Sequence, residues 1–216
     1  MTTVVTRWWW VRHAPVTDDG GCIYGQRDLD CDCSDAATFR WLASELPENA
    51  VLVTSDLRRT TQTAEGIVGG GLALPPPQRE PALREQFFGD WQGVKRTEFA
   101  AMRDGLPHRF WIAPAYERTP NGESFTDVLA RVAPAITRIT AEHSGRDIVA
   151  VAHGGSIRAA IAFALRIDPQ TALAFSIRNL SITRLDHIAD DHSEGQWRAT
   201  TVNQLPNQHV GISGGW

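Results

Sequence analysis

The sequence is poor in cysteine: Cys22, Cys31 and Cys33 are its three, all within one short stretch. An odd number so closely spaced argues against a disulfide framework, and Cys31-Asp32-Cys33 matches none of the C-x2-C patterns that bind structural zinc. Free thiols are expected, and no metal is assigned. Positive charge is not in excess either. The formal net charge is −4 over 216 residues, so there is no general attraction to nucleic acid or anionic lipid. Any affinity for anions must be local. No apolar run reaches the roughly 18 residues that span a bilayer, and Met1 to Thr6 does not open a secretory signal. A cytoplasmic protein is expected, with no nucleic-acid or membrane partner. Internal repeats, low-complexity tracts, a P-loop and a dinucleotide fingerprint are all missing. The length suits one α/β domain, residues 1–216, with a sizeable core.

What is present begins with Trp8-Trp9-Trp10-Val11-Arg12-His13, an apolar run that ends in a cation and an imidazole. Together with Val4 and Val5 it lacks polar alternation, which suits a strand covered on both faces, and Pro15 with the turn-rich 17–21 stops it. Ligands of open α/β sheets bind at strand C-termini, so Arg12 and His13 stand where chemistry is expected. A second run, Asp147 to Ala152, ends in His153-Gly154-Gly155 and leads into the helical 157–165. The two glycines let backbone approach a ligand closely, and the helix N-terminus favours an anion.

Between these runs, Ser34 or Asp35 caps a helix carrying Phe39, Leu42 and Leu46, which Pro47 ends. Val51 to Thr54 reads as a short buried strand. Ser55-Asp56 reads as the next helix start, with Gly69 to Gly71 as its stop, which puts Arg58 and Arg59 in the first turn. A guanidinium there matches phosphate oxygens bidentately. Residues 94–122, with Pro107, Pro114 and Pro120, read as an excursion from the sheet that covers a site, a cap carrying Phe110, Trp111 and Tyr116. An amphipathic helix over 123–143 is expected to kink at Pro134. Two strands, 180–188 and 196–202, form a hairpin, and the tail 205–216 is expected to fray.

Taken together, these residues resemble the histidine phosphatase superfamily, also called phosphoglycerate mutase-like proteins. Arg12-His13 is similar to its Arg-His-Gly signature, Ser55 to Ala64 to its second block, Leu83-Arg84-Glu85 with 88–93 to its acid-bearing block, and Ala152 to Gly155 to its second-histidine block. The resemblance implies a three-layer α/β/α sandwich whose mostly parallel sheet carries an antiparallel strand at the C-terminal end. It also implies hydrolysis of a small phosphorylated metabolite through a phosphohistidine, with no metal or cofactor. His13 would be the nucleophile, Arg12, Arg59 and His153 would stabilise phosphoryl charge, and Glu85 would serve as acid and then base. Gly154, Gln26 and Arg27 are further candidate contacts. Departures from the pattern are Ala14, Val16 and Asp19 where glycine, threonine and asparagine are usual; Thr17 or Gln26 is the candidate replacement. A mutase and a catalytically silent binding protein are the alternatives. Tyr24 to Asp28 and the aromatics around Glu85 resemble the α-ribazole phosphatase group, whose flat base Phe110, Trp111 and Tyr116 would stack on. The oligomeric state is left open.

Overall fold

The structure, a computed structural model, describes residues 3–103, 108–190 and 193–206. Strand β1 (Val4–Arg12) is followed by α1 (Ala36–Glu45), β2 (Val51–Thr54), α2 (Arg58–Gly69), β3 (Gln78–Arg79) and α3 (Arg96–Met102). Then come α4 (Phe125–Glu142), β4 (Asp147–Ala152), α5 (Gly154–Leu165), the short α6 (Pro169–Ala172), β5 (Ile182–Asp190) and β6 (Ser193–Gln204). They build one six-stranded sheet in the order β3-β2-β4-β1-β5-β6. The first four strands in that order are parallel, while β5 and β6 run antiparallel.

The apolar runs lack alternation because both faces of the central strands are covered. Trp8 and Trp10 point to one face, among the buried residues of α4 and α5, while Val11, Val149 and Val151 pack with α1 and α2 on the other. Trp8 and Trp10 are stacked, with ring centroids 4.9 Å apart, and Trp8 Nε1 donates to Thr140 Oγ1 of α4 at 2.9 Å. Trp9, on the opposite face, donates to Asp147 Oδ1 and lies under Arg184. A smaller cluster of Ile23, Phe88, Trp91, Phe99 and Ala113 forms beside the sheet and ties α3 to the loop after β1.

Several local expectations are revised. The C-terminal hairpin is present, with β5 (9 residues) displaced two residues along the chain from the expected 180–188 and β6 (12 residues) longer than the expected 196–202. Strand β3, only two residues long, has no legible pattern. Asp35 caps α1, accepting from Thr38 N at 3.0 Å. Ser55 and Asp56 do not start α2: its N-cap is Leu57, without a side-chain bond, and both side chains are engaged elsewhere. Helix α4 starts on a capping box of Ser124 and Asp127 and runs through Pro134, which is exposed. Residues 104–107, with Pro107, and 207–216 of the tail lie outside the described residues.

The Trp8–Trp10 stack fills the layer between sheet and helices, so truncating it leaves a large void. Trp8→Ala is expected to cost about 3–5 kcal/mol, read from urea unfolding at neutral pH. A loss under about 1 kcal/mol would show that this layer is not organised on the stack.

Candidate active site

The site follows from strand register. Arg12 of β1 pairs with Ala152 of β4, so the next residue on each strand, His13 and His153, leaves the sheet at the same level. His13 N donates to Ala152 O at 3.0 Å, and the two imidazoles lie 5.1 Å apart, centroid to centroid. Thr54 pairs with Val151, which brings Ser55 to the same edge.

His13 is 1% exposed, and its Nδ1 lies 2.7 Å from the carbonyl oxygen of Ala14. A carbonyl only accepts, so Nδ1 carries the proton and Nε2 keeps a free lone pair. Burial, reinforced by Arg59 and Arg12, holds the His13 pKa well below the usual histidine range. The ring is therefore neutral at pH 7 and nucleophilic at Nε2. Asn179 Nδ2 donates to the His13 carbonyl at 2.7 Å, and Ala14 N donates to Thr63 Oγ1, which fix the turn after β1.

Arg59 is fully buried. Its Nη2 donates to Gly25 O at 2.7 Å, Nη1 to Arg27 O at 2.8 Å and Nε to His153 Nδ1 at 3.2 Å. Gly25 has φ +47°, and a Cβ there would lie 2.3 Å from Gln92 Oε1, so this carbonyl position requires glycine. Of the five guanidinium N–H groups, two remain for a ligand. Because arginine only donates, His153 Nδ1 is an acceptor, and Nε2–H donates to Ser55 Oγ at 2.8 Å. Burial and the charges around it, Arg59 foremost, also lower the His153 pKa well below its usual value. Arg12 donates from Nη1 to Ile177 O at 2.7 Å, while its Nε is buried without a partner.

Glu85 stands across from these cations. Its Oε1 accepts from Gly155 N at 3.0 Å, in the first turn of α5, and from Gln86 N at 2.8 Å. A Cβ at Gly155 would lie 2.2 Å from Oε1, so glycine is what admits the carboxyl. The main chain of this loop is braced from α4: Arg131 donates to the carbonyls of Ala82, Arg84 and Glu85 and is held by Glu123. Arg84 itself forks onto Asp56.

Beside Arg12 and Glu85 opens a cleft of about 380 Å³ lined also by Tyr24, Arg96, Arg109 and Trp111, among others. Another of about 350 Å³, between Thr137, Phe163, Arg166 and Trp197, lies at the far end of the sheet and has no acid in its lining. Of the residues expected here, Arg12, His13, Arg59, Glu85, His153 and Gly154 come together. Gln26 and Arg27 do not line the cleft. Gln26 Nε2 donates to Glu85 O at 2.8 Å, and Arg27 contributes its carbonyl to Arg59 while its side chain is exposed. Thr17 is also exposed, and Asp19 is turned onto Arg96, which lowers its pKa. Arg58 pairs with Asp30. Tyr116 is bonded to Asp168 outside the cleft, whereas Phe110 and Trp111 line it. The three cysteines are free, and burial with Cys31 alongside pushes the Cys33 thiol up to about 12.

Sequence reasoning missed Ser55 as a partner of His153, Arg131 as a brace, Arg109 in the cleft, and Arg158. The signal for Arg158 was available: it lies one helical turn after Gly154 in an otherwise apolar helix, and so on the same face as that glycine.

A sequence profile of the histidine phosphatase superfamily (branch 1) matches residues 8–204. A glucosyl-3-phosphoglycerate phosphatase of Mycolicibacterium vanbaalenii is 33% identical over 162 residues, 69% of each chain. The solved structure of a mycobacterial glucosyl-3-phosphoglycerate phosphatase superposes with a TM-score of 0.76 at 28% identity, covering 92% of this chain and 99% of the other. An Escherichia coli structure, of a protein put forward as an alpha-ribazole-5'-P phosphatase, has a TM-score of 0.71 over 92% of this chain and 96% of that one. At 21% identity that last likeness is one of fold alone. With strand-end histidines set by register, an acid near them and the profile matched over residues 8–204 of the chain, the chain belongs to the histidine phosphatase superfamily, branch 1.

Proposed function

We propose that the protein is a phosphomonoesterase that hydrolyses small phosphorylated metabolites with a second acidic group, through a phosphohistidine at Nε2 of His13. The observation that carries this reading is the pinned Nδ1 of His13, which leaves a neutral Nε2 among arginines with a carboxyl opposite. Nε2 attacks phosphorus, forming a P–N bond as the ester P–O bond breaks, and the departing oxygen takes the proton of Glu85. Water then attacks phosphorus, gives its proton to the Glu85 carboxylate, and the P–N electron pair returns to Nε2. Arg12 Nε and the two unused N–H groups of Arg59 hold the equatorial oxygens. No metal enters this scheme.

Two observations support an acidic substrate. Arg109 lines the cleft as an exposed guanidinium without a carboxylate partner among the described residues. Among the relatives at about one-third identity, some are named for glucosyl-3-phosphoglycerate and others as phosphoglycerate mutases, and both names point to a glycerate that carries a phosphate ester beside its carboxylate. α-Ribazole 5'-phosphate is the second reading. Its flat base finds two of the three expected aromatics, and one face of Trp111 is already taken by Arg158.

Phosphate release measured with chelator present is expected to give a higher kcat/KM for glucosyl-3-phosphoglycerate than for α-ribazole 5'-phosphate. The reverse order would move the assignment to the aromatic base; transfer to an acceptor sugar acid in place of water would indicate a mutase; silence would indicate a binding protein. Arg109→Ala should raise KM for the glycerate ester about tenfold, the loss of one charge-assisted hydrogen bond. An equal rise for a phosphate ester without a carboxylate would contradict that role. Glu85→Gln should lower kcat/KM for an alkyl phosphate by about 10²-fold or more and that for nitrophenyl phosphate by much less. Equal losses would remove Glu85 as the acid.

A further inference from the structure

Arg158 has no role in the scheme above, yet it is 8% exposed and sits beside the site. Its Nε donates to Phe175 O at 2.8 Å and Nη1 to Gly154 O at 3.1 Å, and its guanidinium lies 4.7 Å over the Trp111 ring. None of the ion pairs among the described residues involves it. Burial lowers its pKa to about 10, so it remains a cation at pH 7. A Cβ on Gly154 would be 3.1 Å from Arg158 Nη1, 3.7 Å from Glu85 Oε2 and 3.7 Å from Arg12 Nε. Arg158 and Glu85 therefore face each other across Gly154, within about 7 Å.

A closed chain of contacts links them. Trp111, from the cap, roofs Arg158 and donates through Nε1 to Gln86 Oε1 at 2.7 Å, and Gln86 N donates to Glu85 Oε1. We propose that Arg158 is a positioning residue for Glu85: its charge favours the carboxylate that remains after the leaving oxygen has taken the proton, and Trp111 carries the cap's placement to it. This rests on the phosphohistidine reading, with Glu85 as acid and then base. The other charged or titratable groups about Glu85 are Arg12 at the end of β1, Arg59 from α2, Arg131 from α4 at its carbonyl, and, around the cleft, Tyr24 after β1, Arg96 of α3 and the cap residues His108 and Arg109. Arg158 differs from them in being covered by an element of the cap.

The test is the pH profile of kcat/KM for an alkyl phosphate, which reports the step in which Glu85 must be protonated. Arg158→Gln removes the charge, so the protonated acid persists and the basic limb should move about one unit to higher pH. Arg158→Lys should keep the limb in place. Combined with Glu85→Gln, Arg158→Gln should cost less than twofold further. A limb unmoved in Arg158→Gln, or fully additive losses in the double variant, would overturn the proposal and leave Arg158 a packing residue. If Arg158→Gln does not fold, Trp111→Leu carries the test. It admits water over the guanidinium and should move the limb the same way by less, and no movement would overturn the proposal. Trapping phosphate on wild-type His13 in the same preparations separates the two readings. Labelled His13 with an unmoved limb rejects Arg158 alone, and unlabelled His13 rejects the phosphohistidine scheme beneath it.

Discussion

The parallel pairing of β1 with β4 is the constraint on which the site depends. Because Arg12 stands beside Ala152, the histidine that follows each strand emerges at one edge and at one height. A slip of one residue would turn every side chain of β1 to the opposite face. It would bury Trp9 where Trp8 and Trp10 now stack and would separate His13 from His153. The tryptophan layer thus protects the register, and the register holds the imidazoles together.

The cations of the site are held by carbonyl oxygens. Arg59 rests on Gly25 and Arg27, Arg12 on Ile177, and Arg158 on Phe175 and Gly154. Carbonyls fix a guanidinium without cancelling its charge, so the positive potential is preserved for a phosphoryl group. Nearby carboxylates are taken up by other arginines: Asp19 by Arg96, Asp56 by Arg84, Glu123 by Arg131. A chain with a net charge of −4 can in this way present an anion site. Burial then keeps both histidines neutral, as attack by His13 in the proposed phosphohistidine scheme requires.

Much of this was legible because it is local. Uninterrupted apolar runs that end in Arg12-His13 and Ala152-His153 announce buried parallel strands with polar tips, and glycines 154 and 155 announce close approach. Pairings across the chain were not legible. Ser55 has the look of a helix cap, and only the fold reveals that His153 claims its hydroxyl. Gln26 has the look of a phosphate contact, and only the loop geometry directs its amide to the Glu85 carbonyl. Strand β3 is too short for any periodicity, and Arg131 acts on a loop more than forty residues away in sequence.

In the proposed scheme the Ala14 carbonyl fixes the His13 tautomer and so determines which nitrogen takes the phosphoryl group. That assignment is tested most directly by quenching turnover in alkali with histidine-15N protein and reading 31P–15N coupling in the phosphorylated product. The expected result is phosphorus bonded to Nε2 of His13, lost on acidification and missing from His13→Ala. Phosphorus on Nδ1, or an acid-stable adduct on any other residue, would contradict it.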